Sequence, residues 1–287
     1  MNFIKLKPLF IITSLVLITT SILSIVFWGF EPSIDFTGGS VWELSLPSKP
    51  EKKQVETVFD KQGITISSLI TKDDNYQIDF INITTEQKET LDQEIKNLDN
   101  DYQELKFETL GPLLGKELIY KTIIAIILST ITILLFISYR FKDFHFGLAA
   151  ILALVHDVII LLGSFSILGH FFKAEFNSLF VTAILTTLSL SVYDTVVIFD
   201  RIRELRFKYL KLDWNLITNN AVAESLTRSI NTSATTAFTL TALVLLGGDT
   251  TRWFATALLV GVVFGTYSSI GVAIPLVIFF KKHSKKK

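Results

Sequence analysis

Polar and apolar positions alternate in two different ways along this chain. At both ends apolar residues come in unbroken blocks of membrane-crossing length, while between Glu31 and Glu117 they recur with the short periods of a soluble α+β domain. The first block, Leu9 to Trp28, follows Lys5 and Lys7. About 20 apolar residues span a bilayer core, and no small-x-small cleavage site follows before Phe30, so the block predicts an uncleaved transmembrane helix. Five further blocks predict spans at Leu118 to Tyr139, Gly147 to Leu168, Phe176 to Phe199, Ser229 to Leu246 and Phe254 to Phe280. The fold class expected is a polytopic α-helical membrane protein of six spans.

The intervening segment predicts an ordered set of elements. Val41 to Leu46 alternates as a strand, and Ser48 with Glu51 marks a capping box for a helix over Pro50 to Gln62. Ile64 to Thr71 and Tyr76 to Ile83 read as a hairpin around Asp73, Asp74 and Asn75. Thr84 with Gln87 marks a second capped helix, running to Leu98, and Gln103 to Thr109 a last strand. The order β-α-β-β-α-β predicts a ferredoxin-like domain, 31–117, inserted after the first span. The other regions are then the helix at 1–30, a five-helix membrane domain at 118–280 and a basic tail at 281–287.

Charge supplies the topology. The 287 residues have a formal net charge of zero, yet residues 31–117 hold eighteen Asp and Glu against nine Lys and no Arg. Arg140 and Lys142, the group from Arg201 to Lys211, and the tail from Lys281 to Lys287 fall in alternate connections; the other connections carry just Lys173 and Arg252. By the positive-inside rule both termini are cytoplasmic and the acidic domain is extracytoplasmic. There is no cysteine, and the four histidines lack ligand spacing, so thiolate and metal chemistry are not expected. The segment Asp200 to Asn220 mixes basic and aromatic residues as an interfacial helix or a topology anchor does.

The candidate chemistry is the ionisable residues inside the blocks. A charged aspartate at mid-helix costs about 3 kcal/mol on insertion scales. Asp194 lies 18 residues below Phe176, and Arg228 lies 18 below Leu246 on the next, antiparallel span, so the two are expected at one depth and paired. Asp157, 11 residues below Leu168, is expected higher, beside Thr187 and Thr235, with His156 as a titrating neighbour. Arg228, Asn231, Thr232, Thr235 and Thr239 form a polar stripe at helical spacing. One reading is a proton or ion path lined by hydroxyls, with Asp157 and Asp194 as carriers and Arg228 as the charge that sets their ionisation; the other, preferred for the threonines alone, is hydrogen-bonding between packed helices. Gly261 and Gly265 form a GxxxG pair that permits close helix approach.

These residues also carry a family resemblance. IDFTGG at Ile34 to Gly39 (with Asp35, Gly38 and Gly39), GPLLGKEL at Gly111 to Leu118, His156-Asp157, DTVVIFDRIRE at Asp194 to Glu204 (with Asp200 and Arg201), TRSINTSATT at Thr227 to Thr236 and GTYSS at Gly265 to Ser269 together resemble the SecF family. That family is the smaller half of the SecDF accessory complex of the bacterial Sec translocon, within the resistance-nodulation-division superfamily. The resemblance implies SecD, the SecYEG channel, a translocating preprotein and membrane lipid as partners, with no nucleic acid. It also implies a place in the bacterial inner membrane, protons as the coupling ion with no further cofactor, and no enzymatic activity. Carried over, Asp194 is the proton-coupling acid, Arg228 its basic partner and Asp157 the acid of the His-Asp motif. Family members carry Gly-Tyr-Ser-Ile-Asn before the coupling acid; here Ser189 to Tyr193 stand there, and a phenol replaces the amide. The rival readings are half of a small-molecule exporter, whose outer domains are larger, an intramembrane aspartyl protease, which needs two carboxylates sharing a proton, and a purely structural membrane anchor.

Overall fold

Each apolar block folds as a helix because lipid leaves backbone N–H and C=O groups no partner but one another. A computed structural model describes residues 3–72, 74–210 and 212–284; Asp73, Lys211 and Lys285 to Lys287, used in the turn and topology readings above, lie outside them. Six helices among the described residues are long and apolar enough to cross a membrane. The chain divides into two compact units, Met1–Glu31 with Ile123–Lys287, and Pro32–Thr122.

The smaller unit contains a short helix α2 (Ile34–Thr37), then β1 (Gly39–Ser45), α3 (Lys52–Lys61), β2 (Ile66–Lys72), β3 (Asn75–Phe80), α4 (Thr85–Leu98), β4 (Gln103–Leu110) and the first turns of α5 (Pro112–Phe141). Its sheet has the order β2-β3-β1-β4 with every neighbouring pair antiparallel. Each helix therefore crosses between strands that are not neighbours. Trp42, Phe59, Phe80, Leu91 and Ile95 form its buried core. Thr84 and Gln87 make the predicted capping box, but at α3 the cap is Glu51 with Gln54, three residues beyond Ser48. Ser48 instead donates its backbone N–H to Asp99 Oδ2 at 2.9 Å. Gly39 has φ 137°, and a Cβ there would lie 2.9 Å from the Phe80 carbonyl oxygen. At Gly115 it would lie 2.5 Å from that of Phe36, so α5 begins in backbone contact with α2.

Asp99 is buried and also accepts from Asp101 N at 3.1 Å; the two backbone donors hold its carboxyl below the usual carboxylate range. A depressed folded pKa stabilises above the unfolded value of about 3.9 and ceases to do so as pH falls through the lower folded value. Asp99→Ala is expected to cost about 2 kcal/mol at neutral pH and less in acid. Amide exchange at Ser48 and Asp101 in the whole protein measures it; unchanged protection at neutral pH refutes it.

The larger unit comprises α1 (Lys7–Trp28), the remainder of α5, α6 (Phe144–Phe172), α7 (Ser178–Lys208), α8 (Trp214–Leu246), α9 (Asp249–Ser268) and α10 (Ile274–Ser284). Side chains of α6, α7 and the last span are substantially buried, whereas α1, α5 and α8 present most of theirs outward. Two findings correct the predicted elements. The interfacial helix at Asp200 to Asn220 does not form: α7 continues to Lys208, and after five residues α8 begins at Trp214, capped by Asp213. Arg228 is thus in mid-helix and not at a helix start. The sixth span is broken by a π turn, Ser269–Ala273. Pro275 just beyond it lacks the N–H an α-helix would use, and a widened turn accommodates its ring.

Candidate functional site

Three apolar clusters among the described residues occupy the larger unit, one around Phe141, Phe146, Phe199 and Ile217, another around Leu154, Phe165, Phe180 and Leu188, and a small one of Leu240, Ala255 and Val262. Polar side chains of α6, α7, α8 and α9 gather between them.

Glycines make the layer possible. A Cβ on Gly261 would lie 2.0 Å from Thr187 Cγ2, and one on Gly265 would lie 3.0 Å from Ser191 Cβ. The GxxxG pair therefore packs α9 onto α7 within this chain. The approach delivers Ser268, at the end of α9, to Asp157 on α6. Ser191 Oγ and Ser268 Oγ each donate to Asp157 Oδ2 at 2.6 Å, and Nδ1 of His156 lies 3.0 Å from Oδ1. Asp157 and His156 are 8% and 3% exposed. One turn along α7, Thr195 Oγ1 meets Ser269 Oγ at 2.9 Å.

Asp194 is buried where α7, α8 and α9 meet. Ser233 Oγ and Thr266 Oγ1 donate to its Oδ2, both at 3.3 Å, and lie 2.6 Å from each other. Beside it a cavity of about 30 Å³, room for one water, is lined by Tyr193, Thr232, Ser233 and Thr266 among others.

Several expectations change here. Arg228 does not pair with Asp194: its Nη2 donates to Tyr193 Oη at 3.1 Å, both residues being exposed. The reason is rotational. Arg228 belongs to the outward stripe of α8, whereas Asp194 faces the three-helix junction. Asn231, Thr232, Thr235 and Thr239 are exposed on that same stripe, and Thr235 and Thr239 donate to carbonyls four residues back on their own helix. Of these four, Thr232 lines the cavity beside Asp194 and the other three do not. Thr187 donates to Ile184 O and packs on Gly261; Asp157 meets Ser191, one turn from the Thr187 level the residue count predicted. Asp157 and Asp194 thus sit about one turn apart along α7, roughly 5 Å in rise. Each has its own hydroxyl donors, and they do not hydrogen-bond to each other.

The sequence reading missed Ser191, Ser268, Ser233 and Thr266 as ligands of the two acids. One signal was present: Ser229, Ser233 and Thr236 form a second stripe on α8 beside the one chosen, at the same spacing. Composition alone does not tell which stripe faces inward. Among the family-motif residues, Asp200 lies 3.3 Å from Arg140 and 3.2 Å from Arg203, and Arg201 pairs with Glu204 and with Glu224 of α8. These tie the ends of three helices together, away from the acids. Asp35 is in α2, and Gly38 follows it with φ 71°.

Because both hydroxyls converge on one oxygen of Asp157, Ser191→Ala and Ser268→Ala are each expected to lower stability by about 1–2 kcal/mol. The double variant is expected to deviate from their sum, measured as a double-mutant cycle of unfolding in detergent. Strict additivity would show that the two serines do not share Asp157.

Six apolar spans, an inserted α+β unit and buried acids within the helices define a polytopic α-helical membrane protein. A model of the family described as protein export membrane protein SecD/SecF, C-terminal, matches residues 90–283. Protein translocase subunit SecF of Thermobaculum terrenum is 35% identical over 94% of this chain and 90% of its own length; that of Anaerolinea thermophila is 35% identical over 98% and 94%. The crystal structure of SecDF from Thermus thermophilus superposes with TM-score 0.86 at 31% identity, covering 98% of this chain, which spans 39% of that one. A SecDF structure in a super-membrane-facing form superposes with TM-score 0.73. The chain belongs to the SecF family of protein translocase subunits, multi-pass proteins of the bacterial inner membrane.

Proposed function

We propose that this chain assembles with a SecD partner and uses the protonmotive force to assist late stages of preprotein export through SecYEG, with Asp194 as the proton-coupling acid. The observation that carries the reading is the setting of Asp194: buried among α7, α8 and α9, ligated by two hydroxyls, and in no ion pair among the described residues. A hydroxyl can donate to an ionised carboxyl or accept from a protonated one, so Ser233 and Thr266 can solvate both states. A fixed guanidinium on the carboxylate would favour one state; Arg228 stops at Tyr193, the position where the family carries asparagine. Moving the Arg228 side chain between the phenol and the acid would link proton occupancy to helix position.

The outward polar stripe of α8 supports the SecD assignment. Asn231, Thr232, Thr235 and Thr239 need polar company in a membrane, and a second subunit supplies it better than lipid does. Asp157, with His156 at its other oxygen, is a second carrier one turn away. In this reading protons are the only cofactor, no bond in a substrate is broken, and both termini are cytoplasmic with the ferredoxin-like unit outside. Each proton crossing supplies about 2.3 kcal/mol per 100 mV, enough over several protons to shift a conformational equilibrium. Asp194→Asn tests the reading: export falls while the protein still assembles, and undiminished export overturns it.

A further inference from the structure

At the basic end of the larger unit, the close of α5, the start of α6, the end of α7 and the start of α8 bound an open-sided cavity of about 920 Å³. Arg140, Lys142, Arg203 and Arg206 line it together with three carboxylates. The carboxylates are occupied. Asp143 is held by Lys281 and His145, Asp200 by Arg140 and Arg203, and Glu204 by Arg201. Arg140 and Arg203 share the single carboxylate of Asp200, and Arg203 also donates to the Arg140 carbonyl at 3.0 Å. Lys142 and Arg206 have no ion pair among the described residues. Arg206 lies 5.2 Å over the Trp214 ring, and the buried indole N–H of Trp214 meets no acceptor there. Lys142 has φ 50°, so the chain carries a lysine where the backbone favours Gly or Asn.

The wall thus offers two cations without an ion pair, Lys142 and Arg206, beside two arginines that share one carboxylate, the recognition chemistry of an anion with several oxygens. Its rim indicates the source of that anion. Phe207 and Leu210, 74% and 83% exposed, line the same cavity and present apolar surface that a small soluble anion would not cover. Basic pockets between membrane helices take anionic headgroups in this way. We propose that this cavity is a headgroup site for an anionic phospholipid, its phosphate between Lys142 and Arg206 and its acyl chains along Phe207 and Leu210.

The test is native mass spectrometry of the full chain in detergent, titrated separately with dioleoyl phosphatidylglycerol, dioleoyl phosphatidylcholine and inorganic phosphate. Phosphatidylglycerol is expected to be retained at about tenfold lower concentration than phosphatidylcholine, and the double variant Lys142→Gln, Arg206→Gln to lose about that factor. Both side chains are exposed and without ion pairs, so the fold is retained; a melting curve checks it. Lys116→Gln with Lys282→Gln, the same charge change elsewhere, is expected to keep the preference. Equal retention of the two lipids overturns the proposal, as does a preference that survives the pocket variant. Pocket-dependent binding of inorganic phosphate without lipid preference overturns it in favour of a soluble anion.

Discussion

Asp194→Asn is expected to reduce preprotein export to the level of cells lacking the chain, with membrane insertion and yield unchanged. The amide has the carboxyl's shape and can still meet Ser233 Oγ and Thr266 Oγ1, each now 3.3 Å from Oδ2, so the α7-α8-α9 junction keeps its packing. What it cannot do is bind and release a proton. Following a preprotein across the membrane in pulse-chase, beside quantification of the variant in membranes, separates the outcomes. Full export by a well-assembled variant removes Asp194 from the mechanism. Loss of the variant from the membrane assigns the acid to structure. Asp157→Asn is the companion measurement: it disturbs two 2.6 Å hydrogen bonds in a buried setting, so a loss of stability is expected there even where coupling survives.

Gly163→Ala is expected to be the most damaging single-methyl change in the larger unit. A Cβ at Gly163 on α6 would lie 2.4 Å from Ser21 Cα and 2.2 Å from its Cβ. Backbone stands in the way, and no rotamer change relieves it. The same crossing is held by Ser24 Oγ donating to the Gly163 carbonyl at 3.0 Å and Ser166 Oγ donating to the Ser24 carbonyl at 2.9 Å. Ser21 and Ser24 are the buried residues of α1, whose other side chains are largely outward; a second contact lies further along, where Tyr267 Oη donates to the Phe10 carbonyl at 2.8 Å. Destabilisation at or above the usual overpacking range, about 3 kcal/mol, is expected, read as a lower unfolding midpoint in detergent. Gly261→Ala differs instructively. Its methyl meets the Thr187 side chain, so Thr187→Gly is expected to rescue it, and no substitution of Ser21 rescues Gly163. A wild-type midpoint for Gly163→Ala would show that α1 does not approach α6 as closely as described.

The number of spans was legible because a bilayer imposes length and apolarity on any helix that crosses it, whatever its neighbours. The capping box of Thr84 and Gln87 and the β-α-β-β-α-β order were legible because caps and period-2 strands are local. The joint between α7 and α8 was not, because the cytoplasmic ends of helices need no apolar block: Trp214 to Arg228 are helical without being hydrophobic. For the site, sequence identified Asp157 and Asp194, since an acid in an apolar block is conspicuous on composition. Their ligands are four ordinary hydroxyls on three other stretches, indistinguishable in sequence from Thr235 or Thr239, which turn outward.

Equal depth on successive helices predicted the Asp194–Arg228 pair, and depth is all that residue counting supplies. Which way each side chain points about its helix axis depends on how α8 rolls against α7 and α9, two helices that the glycine contacts of Gly261 and Gly265 bring together. The sequence by itself determined the membrane class, the inserted α+β unit and the acids within the helices, because burial in lipid is priced residue by residue. The tertiary structure alone decided that Asp194 is ligated by Ser233 and Thr266, that Asp157 lies one turn rather than two or more from it, and that Arg228 stops at a phenol. Those are facts of helix rotation and approach, fixed by packing between segments distant in the chain.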